Sequence, residues 1–418
     1  MDCYNNSMSV LAVIAEFHPY HNGHHYLLEE AMSVTHADYA VSIMSGNFLQ
    51  RGAVALWNKY TRAAMAVSGG FDLILELPVV YATGSAGDFA MGAVSMLEKL
   101  HCVDYLAFGV ETPDEGAFEK LADTLVKEPV AYRTALKEAL SNGNSFPAAK
   151  QLALASVCGE AASALLMEPN NTLALAYLCA LKKLHSSIKP IFIKRISSHY
   201  HDTALQTAIS SATAIRTSLE QGEDVETIKK QVPKGTLPYI PTPDQSYLSD
   251  DELTPFVQSA FLQKEHLSNI CDLAPHLYEK LSKIPVDSTY EEVVNALKSK
   301  DVTRSRIARV LLHAILGYKE QQRALFIQEN YACYANILAL RKASGALVKL
   351  CHTNSEIPVI TKKADFFSTL ASYPAINKQA ADTMWHLDLK ATALYNAIYY
   401  NHYHEKLPND FTVALPVL

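Results

Sequence analysis

The sequence predicts an α/β protein: a doubly wound parallel sheet, Rossmann-like, followed by a mainly helical C-terminal region. Three observations predict it. Short apolar runs alternate with helical patterns through about the first 230 residues, the signature of strand–helix–strand crossovers. A stretch with four prolines, Gln231 to Asp244, then breaks the pattern. Beyond it the apolar spacing is helical almost throughout.

The first strand is the apolar run from Val10, stopped at Pro19, after which His21-Asn22-Gly23-His24 opens a helix. Further strands are expected over 37–44, 72–77, 104–108 and 190–194, with helices over 59–68, 86–100 and 172–184 between them. A short helix is expected over 217–221, preceded by the polar run Ser210 to Arg216. After the linker come helices over 250–264, 274–283, 289–298 and 303–316, the last amphipathic through Ile307, Val310, Leu311 and Ile315. A short strand over 335–340 is also expected. The predicted organisation is a doubly wound domain over 8–230, a proline-rich linker over 231–249 and a helical region over 250–418.

Composition narrows the class. Hydrophobic residues make up 49% of the 418 residues, enough for large cores. No apolar run approaches the ~18 residues needed to span a bilayer. The first seven residues lack the basic start and apolar stretch of a signal peptide, so a cytoplasmic protein with no membrane partner is expected. Seven scattered cysteines without a Cys-x-x-Cys pair are read as reduced thiols. The net charge of −7 argues against nucleic acid for the chain as a whole. Between Lys298 and Lys349, however, ten basic residues stand against three acidic ones, a local balance of +7. That stretch is either the footprint of a polyanion or a solvated helix face. The sequence carries no signal for oligomeric state.

His21 and His24 lie three residues apart where a strand hands over to a helix. Backbone N–H groups and the helix dipole favour anions there. Three readings compete: a metal cluster, a nucleotide-phosphate clamp, and a polar helix start with incidental histidines. The metal reading lacks a nearby acidic or thiolate ligand, so no metal site is assigned. Gly23 allows phosphate or base to approach the backbone. A second phosphate element tips the balance. Ser210-Ser211-Ala212-Thr213-Ala214-Ile215-Arg216 supplies hydroxyls and a guanidinium at another helix start.

These two motifs resemble the signatures of the HxGH nucleotidyltransferase superfamily. More blocks resemble the bacterial tRNA(Met) cytidine acetate ligases: Glu16 to His24, Met44 to Gly52, Leu75 to Pro78, Phe108-Gly109, Pro169-Asn170-Asn171, Ile193 to Ile196, Tyr200-His201-Asp202 and Thr303 to Ile307. The resemblance covers nearly the whole chain. It implies that ATP activates acetate as acetyladenylate, and that the acetyl group passes to the wobble cytidine of elongator tRNA(Met), giving N4-acetylcytidine. It implies His21 and His24 as catalytic residues at the α-phosphate. Ala15, Glu16, Phe17, Gly23, Gly109, Asn170, Asn171, Arg195, Ser211, Thr213 and Arg216 would bind ATP, with Mg2+ on its phosphates. Arg304, Arg306 and Arg309 would bind tRNA. A small-molecule adenylyltransferase and a non-catalytic RNA-binding protein are the alternatives.

Several residues keep two readings. Gln50 and Arg51 are a site loop or an ordinary one; Glu76 is a structural or a catalytic carboxylate; Asp88 is a helix cap or a contact. His18 stands where the family usually has asparagine, and its charge is expected to depend on pH. Asn336 occupies a position where the family suggests arginine.

Overall fold

The computed structural model describes residues 8–196, 210–221, 225–240 and 247–418. Five parallel strands lie side by side in one sheet: β1 (Val10–Ala15), β2 (Tyr39–Ser45), β3 (Leu73–Leu77), β4 (Tyr105–Val110) and β5 (Lys189–Lys194). Their order is β5-β4-β1-β2-β3, so the chain reverses direction across the sheet between β1 and β4. Ligands bind beyond the strand ends at such a reversal.

Successive residues of β1 serve opposite faces. Val10, Ala12 and Ile14 enter one core, and Leu11 and Val13 enter the other. A strand covered on both sides reads as a continuous apolar run, which is why the first strand is plain in the sequence. Helices α1 (Asn22–Thr35) and α2 (Lys59–Ser68) cover one face. The other is covered by α3 (Val79–Ala82), α4 (Ala86–Leu100), α5 (Glu115–Lys127), α6 (Val130–Ser141), α7 (Phe146–Cys158), α8 (Glu160–Ala164) and α9 (Pro169–Lys183). Asn58 caps α2 through the Tyr60 and Thr61 amides, and Ser85 caps α4 through Asp88 N–H.

Helix α10 spans Ala212–Glu220, starting five residues earlier than expected. Ser211 is its cap, accepting from Ala214 N–H at 3.1 Å, so Arg216 sits within the helix and not ahead of it. A short α11 (Val225–Lys229) follows. The proline-rich stretch is not devoid of regular structure either. Lys234–Tyr239 form a 3₁₀ helix, and a Cβ on Gly235 would stand 2.7 Å from the Ser68 carbonyl at the end of α2. Prolines preset the φ that such a turn needs.

The C-terminal region opens with a 3₁₀ turn, Asp250–Leu253, and continues as α12 (Thr254–Phe261), α13 (Pro275–Leu281), α14 (Tyr290–Leu297), α15 (Arg304–Leu316) and α16 (Glu320–Gln328). It then returns to the sheet. Strand β6 (Ala335–Leu340) pairs antiparallel with β3, and after α17 (Gly345–Asn354) the short β7 (Val359–Ile360) pairs with β6. Helices α18 (Phe366–Ala371) and α19 (Lys378–Tyr403) close the described fold.

A buried ion network fastens this return. Lys59 Nζ meets both Glu76 oxygens at 2.8 and 3.0 Å, Thr392 Oγ1 at 2.9 Å and Asp410 Oδ1 at 2.9 Å. Asn336 Nδ2 donates to the same Glu76 carboxylate at 2.6 Å. Glu76, the penultimate residue of β3, is thus a structural carboxylate, and Asn336 is a buried sheet residue.

Candidate active site

Beyond the C-terminal ends of β1 and β4 lies a cavity of about 490 Å³, within the usual range for a small-ligand site. Its walls include Ala15, Glu16, Phe17, His18, His21, His24, Gly109, Asn170, Arg195, Ser211, Thr213 and Arg216. Gly23 lines an adjoining recess shared with His21, His24 and Arg195.

The helix start sets the histidines. His21 is the extended N-cap of α1, and its Nδ1 accepts from Gly23 N–H at 3.0 Å. His24 Nδ1 accepts from His21 N–H at 3.3 Å. A neutral imidazole that accepts at Nδ1 carries its proton on Nε2. Both rings therefore offer an Nε2–H donor. Burial lowers His21 well below the ordinary histidine range, and lowers His24 to about 3, with the Arg195 charge adding to the shift. Both are neutral donors at physiological pH.

Phe17 supports this pair from below. Its backbone is left-handed at φ +46°, an uncommon state for an aromatic residue. Its ring meets His24 edge-on at 5.0 Å and Tyr20 at 5.1 Å. The Glu16 carboxylate accepts from Gln50 N–H at 2.7 Å, joining the end of β1 to the loop after β2.

His18 departs from expectation. Its Nε2 accepts from Leu56 N–H at 2.9 Å, and its carbonyl accepts from Arg216 Nη1 at 2.8 Å. Burial, then the Arg216 and Arg62 charges, hold its pKa well below 6.5. The ring stays neutral, so the expected pH-dependent charge is not present at neutral pH. Arg216 also donates to Thr213 Oγ1 at 3.1 Å, which aligns both groups along the cavity wall.

The opposite wall is a closed ring of hydrogen bonds. Glu111 accepts from the Asn170 side chain and, at 3.2 Å, from Asn171 N–H; its own N–H donates to Asn171 Oδ1 at 3.0 Å. Arg195 Nη1 donates to Asn170 Oδ1 at 3.5 Å. A Cβ on Gly109 would stand 3.2 Å from Arg195 Cγ, so the glycine makes room for that side chain. Asn170 lines the cavity. Asn171 is fully buried behind it and holds Glu111, so it supports the wall without forming part of it.

Arg62 is a residue that sequence reading missed. It is fully buried in α2 and donates to the carbonyls of Glu16, Ser45, Gly46 and Trp57. One guanidinium thereby ties the ends of β1 and β2 together under the site. Burial lowers its pKa to about 10, which leaves it charged. A lone arginine among apolar helix residues gave no local signal. Of the paired readings, Gln50 and Arg51 do line the cavity, and Asp88 sits in the first turn of α4, bonded to Ser85 and to Arg323 at 2.9 Å.

The three arginines of α15 differ in surroundings. Arg304 makes a two-pronged ion pair with Glu291, Arg306 donates to the Asp272 carbonyl at 3.4 Å, and the mostly buried Arg309 faces Asp272 at 3.9 Å. They form no uniform row of exposed cations. Tyr200, His201 and Asp202 lie outside the described residues. Among the described residues no cluster of three metal-ligating side chains occurs, and no helix is long and apolar enough to cross a membrane.

A doubly wound sheet whose first helix opens on His-x-Gly-His, faced by a second helix that carries Ser211, Thr213 and Arg216, defines a nucleotidyltransferase-type site. Residues 8–410 match the HIGH Nucleotidyl Transferase family model. The tRNA(Met) cytidine acetate ligase of Caldanaerobacter subterraneus is 37% identical over 407 residues, 96% of this chain and 98% of its own length. That of Acetivibrio thermocellus is 32% identical over 98% of this chain and 100% of its own. The crystal structure of apo Thermotoga maritima TmcAL superimposes with a TM-score of 0.91 at 28% identity, covering 98% of this chain and 100% of that one. The same protein bound with alpha-thio ATP superimposes at 0.87 with the same coverage. The chain belongs to the tRNA(Met) cytidine acetate ligase family.

Proposed function

We propose that the protein activates acetate with ATP and acetylates the wobble cytidine of elongator tRNA(Met). The observation that carries this reading is the convergence of two neutral Nε2–H donors and two guanidiniums, Arg195 and Arg216, on one cavity. Such preorganised donors stabilise charge that grows on a phosphoryl group without themselves transferring a proton.

In the first step an acetate oxygen bonds to the α-phosphorus of ATP, and the bond to the β-phosphate oxygen breaks to release pyrophosphate. Acetate is already the reactive anion, so orientation matters more than a base. His21 and His24 hold the α-phosphate. Ser211, Thr213 and Arg216 hold the β- and γ-phosphates, Gly23 lets the nucleotide approach, and Gly109, Asn170 and Arg195 face the nucleoside. The backbone of Ala15, Glu16 and Phe17 forms the floor. In the second step the exocyclic amine of cytidine attacks the acyl carbon, AMP leaves, and the amine loses a proton. Arg304, Arg306 and Arg309 bind the tRNA, and the reaction takes place in the cytoplasm, where tRNA resides.

Among the described residues no cluster of metal-ligating side chains offers a protein-held magnesium site. The Glu16 carboxylate on the cavity wall accepts from Gln50, and Glu111 behind Asn170 accepts from Asn170 and Asn171. Magnesium would accompany the triphosphate, and no step is assigned to it.

The test is incubation with ATP, labelled acetate and total tRNA, followed by digestion and search for N4-acetylcytidine. Label that enters RNA only with ATP present is expected. Acetyladenylate without RNA acetylation would overturn the tRNA reading. His24→Ala is expected to abolish adenylation and leave tRNA affinity within about twofold, since phosphate contacts by cationic side chains set most of RNA affinity and this ring is neutral.

A further inference from the structure

The turn between β2 and α2 is fastened on two sides. It closes on itself through the Phe48–Val54 bridge and the Leu49 N–H to Ala53 carbonyl bond at 3.0 Å. Two of its amides bind groups at the end of β1: Gln50 N–H to the Glu16 carboxylate at 2.7 Å, and Leu56 N–H to His18 Nε2 at 2.9 Å. Gln50 Nε2 adds a bond to the Gly84 carbonyl at 3.2 Å. Further attachments run to the C-terminal region. Val54 N–H donates to Asp250 Oδ1 at 3.0 Å. Gly52, at φ +77°, lies so close to α15 that a Cβ would stand 2.6 Å from Ala308 C and Arg309 N. Leu49, Gln50, Arg51 and Ala53 of the same turn line the cavity.

Buried amides need partners, but nothing in backbone accounting requires them to come from two distant parts of the chain. Gln50, Val54 and Leu56 alternate between the adenylation side and the helical side. Gly52 allows backbone-to-backbone contact with the arginine-bearing helix, which no side chain would permit.

We propose that the Asn47–Leu56 turn is a positioning element that holds α15 in register with the adenylation cavity, with Asp250 and Gly52 as its attachments on the helical side. This rests on the acetyl-transfer reading. An amine delivered by RNA bound on the helical region must arrive within about 3–3.5 Å of the acyl carbon. The turn connects that region to the two residues, Glu16 and His18, that bracket the floor of the site. Neither Asp250 nor Gly52 touches the reacting atoms.

The test uses the full chain and two readouts. Acetate-dependent exchange of labelled pyrophosphate into ATP measures adenylation without RNA; labelled acetate entering tRNA measures transfer. Asp250→Ala removes the acceptor of Val54 N–H, whereas Asp250→Asn keeps it. Asp250→Ala is expected to keep exchange within about twofold of wild type and to lose at least about tenfold in kcat for transfer, with the KM for tRNA little changed. Asp250→Asn is expected to retain both activities, and Gly52→Ala to behave like Asp250→Ala. Equal loss of exchange and transfer in Asp250→Ala overturns the proposal, as does full transfer by that variant or failure of Asp250→Asn to restore it. A wild-type chain that exchanges pyrophosphate with acetate but never acetylates tRNA overturns the underlying reading, and this one with it.

Discussion

The imidazoles of His21 and His24 lie 3.9 Å apart between ring centres, and each commits its Nδ1 to a backbone N–H of one helical turn. That arrangement leaves two Nε2–H donors and keeps both rings neutral, because a proton on either Nδ1 would break a capping bond.

Acetate-dependent pyrophosphate exchange is therefore expected to stay within about twofold between pH 6 and 8, since neither ring titrates there. A limb with an apparent pKa near 6.5 would contradict the neutral pair. The same shifts have a stability sign. The folded His24 sits at about 3 against 6.5 for an ordinary histidine, so between those values the unfolded chain holds more protons. Stability falls as pH drops through that window. Urea midpoints measured from pH 7 to 4 are expected to decline less steeply in His24→Gln than in wild type.

Gly109 and Arg195 give a sharper test of the nucleotide wall. Alanine at 109 places Cβ 3.2 Å from Arg195 Cγ, tighter than ordinary contact. The arginine side chain yields more easily than the strand. The expected outcome is a KM for ATP raised by about tenfold, equivalent to ~1.4 kcal/mol, with a thermal midpoint close to wild type. A large loss of stability with unchanged KM would show that the strand had moved instead.

Lys59 is 1% exposed, yet it holds two carboxylates from opposite ends of the sequence. Replacing it with methionine leaves Glu76 and Asp410 buried without their principal cation, a change that typically costs ~3–5 kcal/mol. Lys363, 3.6 Å from Glu76 and lowered to about 8 chiefly by burial, offsets part of this. Denaturant unfolding of Lys59→Met is expected to show a loss of at least ~2 kcal/mol, allowing for that offset. Replacement of an exposed lysine such as Lys127 should cost under ~0.5 kcal/mol.

How much of this could be read in the sequence depends on whether the cause is local. Helices α2 and α4 begin as expected because Asn58 and Ser85 cap them within three residues, and β6 was legible as an apolar run. The partner of β6 was not legible, since its bond from Asn336 to Glu76 spans 260 residues and no periodicity encodes it. Likewise His21 and His24 stand out by type and spacing, whereas Gly109 was named through the family resemblance. Arg62, Glu111 and Asp250 act through contacts that exist only once the chain has folded. The early start of α10 shows the converse. The polar run through Arg216 read as a phosphate loop, but Ser211 satisfies the cap and lets the helix begin at Ala212.

The arginines of α15 should not contribute equally to RNA binding. Arg304 is already paired with Glu291, and that carboxylate must be displaced or shared before a phosphate can bind. Arg309 is mostly buried beside Asp272. Arg306, between them, donates only one long bond to a carbonyl and keeps most of its donors for an incoming anion. Arg306→Glu is therefore expected to weaken tRNA binding more than Arg304→Ala does, by ~1–2 kcal/mol against under ~0.5, and to lower the dependence of log Kd on log salt by about one phosphate contact. Binding measured across a salt series checks both. Equal effects of the two substitutions, or an unchanged salt slope in Arg306→Glu, would place the RNA on another face of the helical region.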